Sequence, residues 1–171
     1  MSAIMLHVGG EERRSGWTNM NIMPGPTVDI VGDGSDLSQF ADGSCRVVYA
    51  SHVMEHMEVV AANRFLVEAW RVLQPGGELY ISVPDMDKLA GWLPKVADAP
   101  SVNILMNVIY GGRLHEFDAH RFGYNKKLLS AMLATAGFEK LRQVERFGIF
   151  DDTSGHTING HLFSLNVIAY R

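Results

Sequence analysis

The chain has 171 residues, 47% of them hydrophobic and 20% charged, with a formal net charge of −4. That length fits one domain with an ordinary buried core, and an acidic balance without a lysine–arginine stripe argues against a nucleic-acid partner. One cysteine, Cys45, excludes an internal disulfide, no run approaches the roughly 20 apolar residues of a membrane span, and the N-terminus lacks the basic-then-apolar pattern of a secretion signal. The expected location is therefore the cytoplasm, without a membrane partner.

Ala3 to Val8 is a short apolar run closed by Gly9-Gly10, which predicts a first buried strand entering a tight turn. Only the stretch from Gly9 to Gly16 separates it from the next extended segment, Trp17 to Ile22. An ordinary crossover helix needs about three turns, so the first one is reduced or absent. A Pro-Gly-Pro loop follows. Val28 to Val31 then predicts a third strand ending in Gly32-Asp33-Gly34, and Cys45 to Ala50 a fourth, with Cys45 as a small buried hydrophobe.

Ala62, Phe65, Leu66, Ala69, Trp70 and Leu73 recur at helical spacing and define one buried face. Pro75-Gly76-Gly77 stops that helix, and Glu78 to Val83 predicts a fifth strand. From Met86 to Tyr124 the pattern loosens, apart from a short helix through Val102, Leu105, Met106 and Ile109. Asn125 reads as the N-cap of a helix carrying Leu128, Leu129, Met132, Leu133 and Ala136, with Gly137 at its end. Phe138 to Phe147 and Leu162 to Tyr170 predict two last strands joined by a polar loop. Alternating strands and helices closed by a hairpin describe an α/β sheet, mostly parallel with an antiparallel edge.

In that order stand Gly16-Trp17-Thr18-Asn19, Asp33-Gly34-Ser35-Asp36-Leu37, Phe40-Ala41-Asp42-Gly43-Ser44, Tyr49-Ala50-Ser51-His52-Val53-Met54-Glu55-His56 and Arg71-Val72-Leu73-Gln74-Pro75-Gly76-Gly77, with Gly137-Phe138 before the sixth strand. Together they resemble the small, type-11-like branch of the class I S-adenosylmethionine (SAM) dependent methyltransferases. The resemblance implies a Rossmann-like, seven-stranded sheet with an antiparallel C-terminal edge strand. It implies one domain over residues 1–171 with a substrate-covering insertion at 86–124, and methyl transfer from SAM to a small-molecule or saccharide acceptor. Gly9 and Gly10 would let the backbone approach the methionine part of the cofactor. Asp33 would accept from the adenine amino group beside Gly34, Asn21 would stand at the ribose position, and Ser51 and His52 would lie under the sulfonium end.

Methyl transfer asks mainly for in-line positioning, plus a base where the acceptor is a hydroxyl. His56 and His120 are the expected bases, and Tyr110, Arg113 and Glu116 the expected acceptor-pocket residues; no metal ion is expected. Two positions depart from the family pattern. Glu11 stands where a glycine is usual, and Asn21 where an acid usually holds the ribose. An amide in place of a carboxylate weakens such a contact by about one order of magnitude. A partner module of this fold without catalysis is the alternative that these positions raise. A further alternative comes from His52-Val53-Met54-Glu55-His56, which matches the H-x-x-E-H pattern of inverted zinc peptidases.

Overall fold

The computed structural model describes residues 3–171. Its strands β1 (Ile4–Val8), β2 (Trp17–Asn21), β3 (Ile30–Val31), β4 (Cys45–Ser51), β5 (Leu73–Pro84), β6 (Lys140–Val144) and β9 (Ser164–Tyr170) form one seven-stranded sheet in the order β3-β2-β1-β4-β5-β9-β6. A two-stranded hairpin, β7 (Thr157–Ile158) and β8 (His161–Leu162), lies apart from it. The helices are α1 (Val59–Val72), α2 (Met86–Trp92), α3 (Ala99–Tyr110) and α4 (Lys126–Thr135). The pairs among β1 to β5 are parallel, and β9 is antiparallel to both β5 and β6. The antiparallel strand thus lies one place in from the edge.

Period-two alternation assigns the two sheet faces. Leu6, Val8, Met20, Val48, Ala50, Leu79, Ile81 and Val83 share the main core with Phe65, Leu66 and Ala69 of α1 and Leu129 and Leu133 of α4. Helix α1 buries Ala62, Phe65, Leu66, Ala69 and Val72, while Trp70 lies at the rim and donates Nε1–H to the Gly137 carbonyl at 3.0 Å. The opposite face carries His7, Trp17, Tyr49 and Tyr80. Here the residues between β1 and β2 form turns and no helix. The segment between β6 and β9 takes the helix's place, setting Phe150 4.1 Å from the His7 ring and Phe147 5.4 Å from that of Tyr49. Tyr49 Oη–H donates to Asp152 at 2.6 Å, and Asn166 Nδ2 to the Glu145 and Ser154 carbonyls.

Buried Asn19 holds the short β1–β2 connection from below. Its Nδ2 donates to the Glu12 and Thr27 carbonyls at 2.8 and 3.0 Å, tying two loops to one strand. Pro75-Gly76-Gly77 lies within β5 as an irregularity rather than a separate turn. The register moves from Cys45↔Leu73 to Val47↔Glu78, Gly76 has φ +78°, and its N–H donates to the Arg171 carbonyl.

The loosely patterned stretch after β5 leaves and rejoins the sheet at one point. Asp85 forms a bridge with Tyr124, and Met86 N–H donates to the Tyr124 carbonyl at 2.9 Å. Helices α2 and α3 within it pack Leu89 and Leu105 against Phe163 in a second small core. The capping expectations hold, since Asn125 Oδ1 accepts from Leu128 N–H at 3.0 Å and Gly137 has φ +109°. Strand β6 is shorter than the apolar pattern suggested because Glu145 onward turns across the sheet face.

Candidate active site

Two clefts open at the carboxyl ends of the parallel strands, where an open α/β sheet places its ligands. The first, about 580 Å³, is lined by Val8, Gly9, Met20, Asn21, Asp33, Gly34, Val53 and Met57 among others. The second, about 910 Å³, is lined by His7, Ser51, His120, Phe150, Asp152 and His156 among others. Gly9, Glu11, His52, His56 and Asp118 face both. Those five residues form a seam between the two clefts.

The strand-end turns build the first cleft. Gly9 has φ +75°, and a β-carbon there would fall 2.4 Å from Val53 Cγ2, so close packing as well as the turn requires glycine. Gly10 has a different reason. Its β-carbon would meet the His7 ring at 2.8 Å and Asn19 Oδ1 at 2.9 Å, and it lines neither cleft. A β-carbon at Gly34 would come within 2.6 Å of Val8 Cγ1, closing the cleft floor. Asp33 accepts from Ser35 N–H at 2.8 Å and stands 3.9 Å from Arg64 Nη2. Arg64 also donates to the Ser35 carbonyl at 2.9 Å and so fixes the Asp33 loop from α1. Asn21 Oδ1 accepts from Met23 N–H at 3.0 Å, which leaves one neutral acceptor lone pair for a ligand.

At the seam, β4 is followed at once by His52, whose φ of +53° turns the chain sharply out of the sheet. His52 Nδ1 lies 2.9 Å from Glu55 Oε1, and Nε2 lies 2.8 Å from Ser164 Oγ, which donates to the Thr153 carbonyl. A single 3₁₀ turn, Met54–His56, then presents Glu55 and His56. Arg121 and Phe122 N–H groups donate to the Glu55 carbonyl at 2.7 and 3.2 Å, and Tyr124 Oη–H to the Met54 carbonyl. These bonds bring His120 beside His56, ring centroids 4.6 Å apart.

Burial alone would raise the Glu55 carboxyl, but His52, His56 and His120 outweigh it and hold it below the ordinary glutamate range. Burial lowers His120, opposed by Glu55 and assisted by His56 and His52.

The residues expected from the sequence thus divide. Gly9, Asn21, Asp33, Gly34, His52 and His56 line the first cleft, while Ser51 and His120 belong to the second. Tyr110, Arg113 and Glu116 line neither; Val108, His115, Phe117, Asp118, His120 and Arg121 are the cleft-facing residues of that segment. Met20, Met57 and Arg121 were missed because methionine and arginine at such spacings read as core and surface. The inverted-peptidase arrangement is not formed, since His52 lies in the turn after β4 and not on one helix with His56.

The sheet order, with the antiparallel strand inserted next to last, is matched by solved structures along nearly the whole chain. A SAM-dependent methyltransferase from Archaeoglobus fulgidus superposes with a TM-score of 0.62 at 15% identity, covering 99% of this chain and 86% of its own. One from Thermotoga maritima gives 0.57 at 14% identity, covering 99% and 83%. The Burkholderia thailandensis 1,6-didemethyltoxoflavin-N1-methyltransferase, solved with its substrate and S-adenosylhomocysteine, gives 0.59 at 16% identity, covering 99% and 71%. Residues 12–81 match the family model described as a methyltransferase domain. The chain thus shares the fold of these S-adenosylmethionine-dependent methyltransferases, and residues 12–81 carry the methyltransferase-domain pattern. A search of the curated proteins gives no match.

The first cleft has the room and lining for the cofactor of these methyltransferases. Its volume lies in the range that holds a ligand of this size, the glycine floor leaves it open, and the apolar walls from Met20, Val53 and Met57 suit a flat base. Glu11 faces the same space and adds negative charge near the seam.

Proposed function

We propose that this chain transfers a methyl group from SAM to a small polar acceptor, a small molecule or saccharide unit bound in the second cleft. The observation that carries this reading is the seam, where two clefts of different character share Gly9, His52 and His56. Bound SAM supplies a methyl group already activated on its sulfonium, so the protein's contribution is to hold two ligands in line. Asp33 accepts from the adenine amino group, Asn21 holds a ribose hydroxyl, and Gly9 and Gly34 leave room for the backbone to approach. The second cleft is lined by His7, Ser51, Asp151, Asp152, Thr153 and His156. That lining suits hydrogen bonds to hydroxyls, and its acidic groups oppose a polyanion. Residues 86–124, which supply Phe117, Asp118 and His120, act as the cover over the acceptor. O-methylation is the favoured chemistry, because the acceptor's proton can leave at His56 or His120.

A second reading, a non-catalytic partner module, draws on Glu11 in the cofactor cleft and on the neutral Asn21. Calorimetric titration with S-adenosylhomocysteine separates the two. Binding is expected, and Asp33→Ala should weaken it about 10- to 100-fold, the worth of one charge-assisted hydrogen bond. No heat at millimolar ligand would exclude methyl transfer and leave the partner module.

A further inference from the structure

The geometry points to a divalent transition-metal site formed by Glu55, His56 and His120 at the seam between the two clefts. One potential ligand atom from each residue lies within 4.8 Å of the others. Ligands held about 2.0–2.2 Å from a tetrahedral ion stand about 3.3–3.6 Å apart, so atoms already within 4.8 Å of one another need an adjustment of at most about 1.5 Å to complete the set.

The burial is what singles this cluster out from ordinary surface histidines. Glu55 is 1% exposed. Neither of its carboxylate oxygens, nor His56 Nδ1, has a hydrogen bond of proper geometry, although His52 Nδ1 approaches Oε1 to 2.9 Å. A buried carboxylate without full compensation is costly, and a cation between it and two imidazoles supplies that compensation.

The ligands come from segments far apart in sequence and are nonetheless held rigidly. Arg121 and Phe122 N–H groups bond the Glu55 carbonyl, Tyr124 bonds that of Met54, and His120 N–H donates to the Tyr110 carbonyl at 3.0 Å. His52 completes the support, spanning from the Glu55 carboxylate to Ser164. It acts as a positioning residue, in the manner of groups that orient metal ligands from behind.

Two imidazoles and one carboxylate favour Zn²⁺, Co²⁺, Mn²⁺ or Fe²⁺ over Mg²⁺ or Ca²⁺, which prefer all-oxygen sets. The role of the ion rests on the methyl-transfer reading above. Because His56 faces both clefts, a cation there would hold the acceptor's hydroxyl oxygen and lower its pKa. The O–H proton passes to water in the open cleft, the oxygen lone pair forms the new bond to the methyl carbon, and the carbon–sulfur bond breaks to leave the neutral thioether. The imidazoles then serve as ligands rather than as the proton's destination.

The test uses tag-free protein stripped with EDTA and dialysed against Co²⁺ or Zn²⁺, with bound metal counted by mass spectrometry and the Co²⁺ ligand-field bands recorded. One equivalent per chain is expected, displaced by Zn²⁺ and not by millimolar Mg²⁺. Glu55→Gln and His120→Ala should weaken it roughly 100-fold or more, and His52→Gln about 10- to 100-fold, whereas His161→Ala keeps the full equivalent. Absence of stoichiometric Co²⁺ from the wild-type protein overturns the inference without reference to any variant. So does a site that persists unweakened in folded Glu55→Gln and His120→Ala proteins. Titrating the same stripped protein with S-adenosylhomocysteine keeps the two proposals apart. Cofactor binding without metal binding removes only the cation site, and metal binding without cofactor binding removes only methyl transfer.

Discussion

His7 ties folding to pH through one buried ring. It lies 5% exposed on the aromatic face, 4.1 Å from Phe150 and 5.0 Å from Tyr49, with Nδ1 buried and unpartnered. Burial pulls its pKa down from 6.5 to about 4, against the opposing pull of Asp152. The folded form therefore keeps the ring neutral in a window where the unfolded chain takes a proton. Stability is full above pH 6.5, falls as pH drops through the window to about 4, and levels off below it. The loss from this residue is about 3 kcal/mol over the window. Urea unfolding of wild type and His7→Phe between pH 4 and 7 checks this. The difference in slope should correspond to one proton, and parallel profiles would show that the ring already carries its charge in the fold.

At the scale of elements, Arg71 joins α1 to the polar linker before β4. Its guanidinium donates to Glu68, to Asp42 at 2.6 Å, and to the Phe40 and Leu37 carbonyls. Side-chain bonds to Glu68 and Asp42 hold its pKa well above the ordinary range. The linker from Ser35 to Ser44 has little regular structure of its own, so this one side chain supplies much of its order. Arg71→Ala should cost about 2 kcal/mol, the scale of several partly solvated charge-assisted bonds lost together. It should also speed amide exchange at residues 36–44 while leaving exchange in β4 and β5 slow. Uniform acceleration across the sheet would mean that the linker folds with the core rather than through Arg71.

Over the whole molecule, the missing first crossover helix leaves one sheet face to be covered by the segment between β6 and β9. Phe150, 8% exposed, packs there against His7, Tyr49 and Trp17, and Asp151 N–H donates to Glu12. One loop therefore closes the core and lines the second cleft. Phe150→Ala should destabilise the protein by about 3 kcal/mol and open residues 145–163 to limited proteolysis. A loss below about 1 kcal/mol would mean that the segment rests on the face without supporting it.

The strand and helix order, the absent crossover helix, the Asn125 cap and many of the residues that line the first cleft were legible in the sequence, because each depends on local spacing or on a turn that demands glycine. Gly10 packs against His7 and Asn19 and lines neither cleft, and a glycine required by packing looks the same in sequence as one that faces a ligand. Tyr110, Arg113 and Glu116 lie in a segment without periodicity, where nothing local decides which side chains turn inward. The His-x-x-Glu-His run was visible, but not its geometry. By itself the sequence determined the sheet, its strand-end chemistry and the family resemblance, since hydrophobic period and turn residues act over a few positions. Only the tertiary structure decided that Glu55 and His120 lie beside His56 of the seam, because backbone hydrogen bonds across more than sixty residues of chain bring them together.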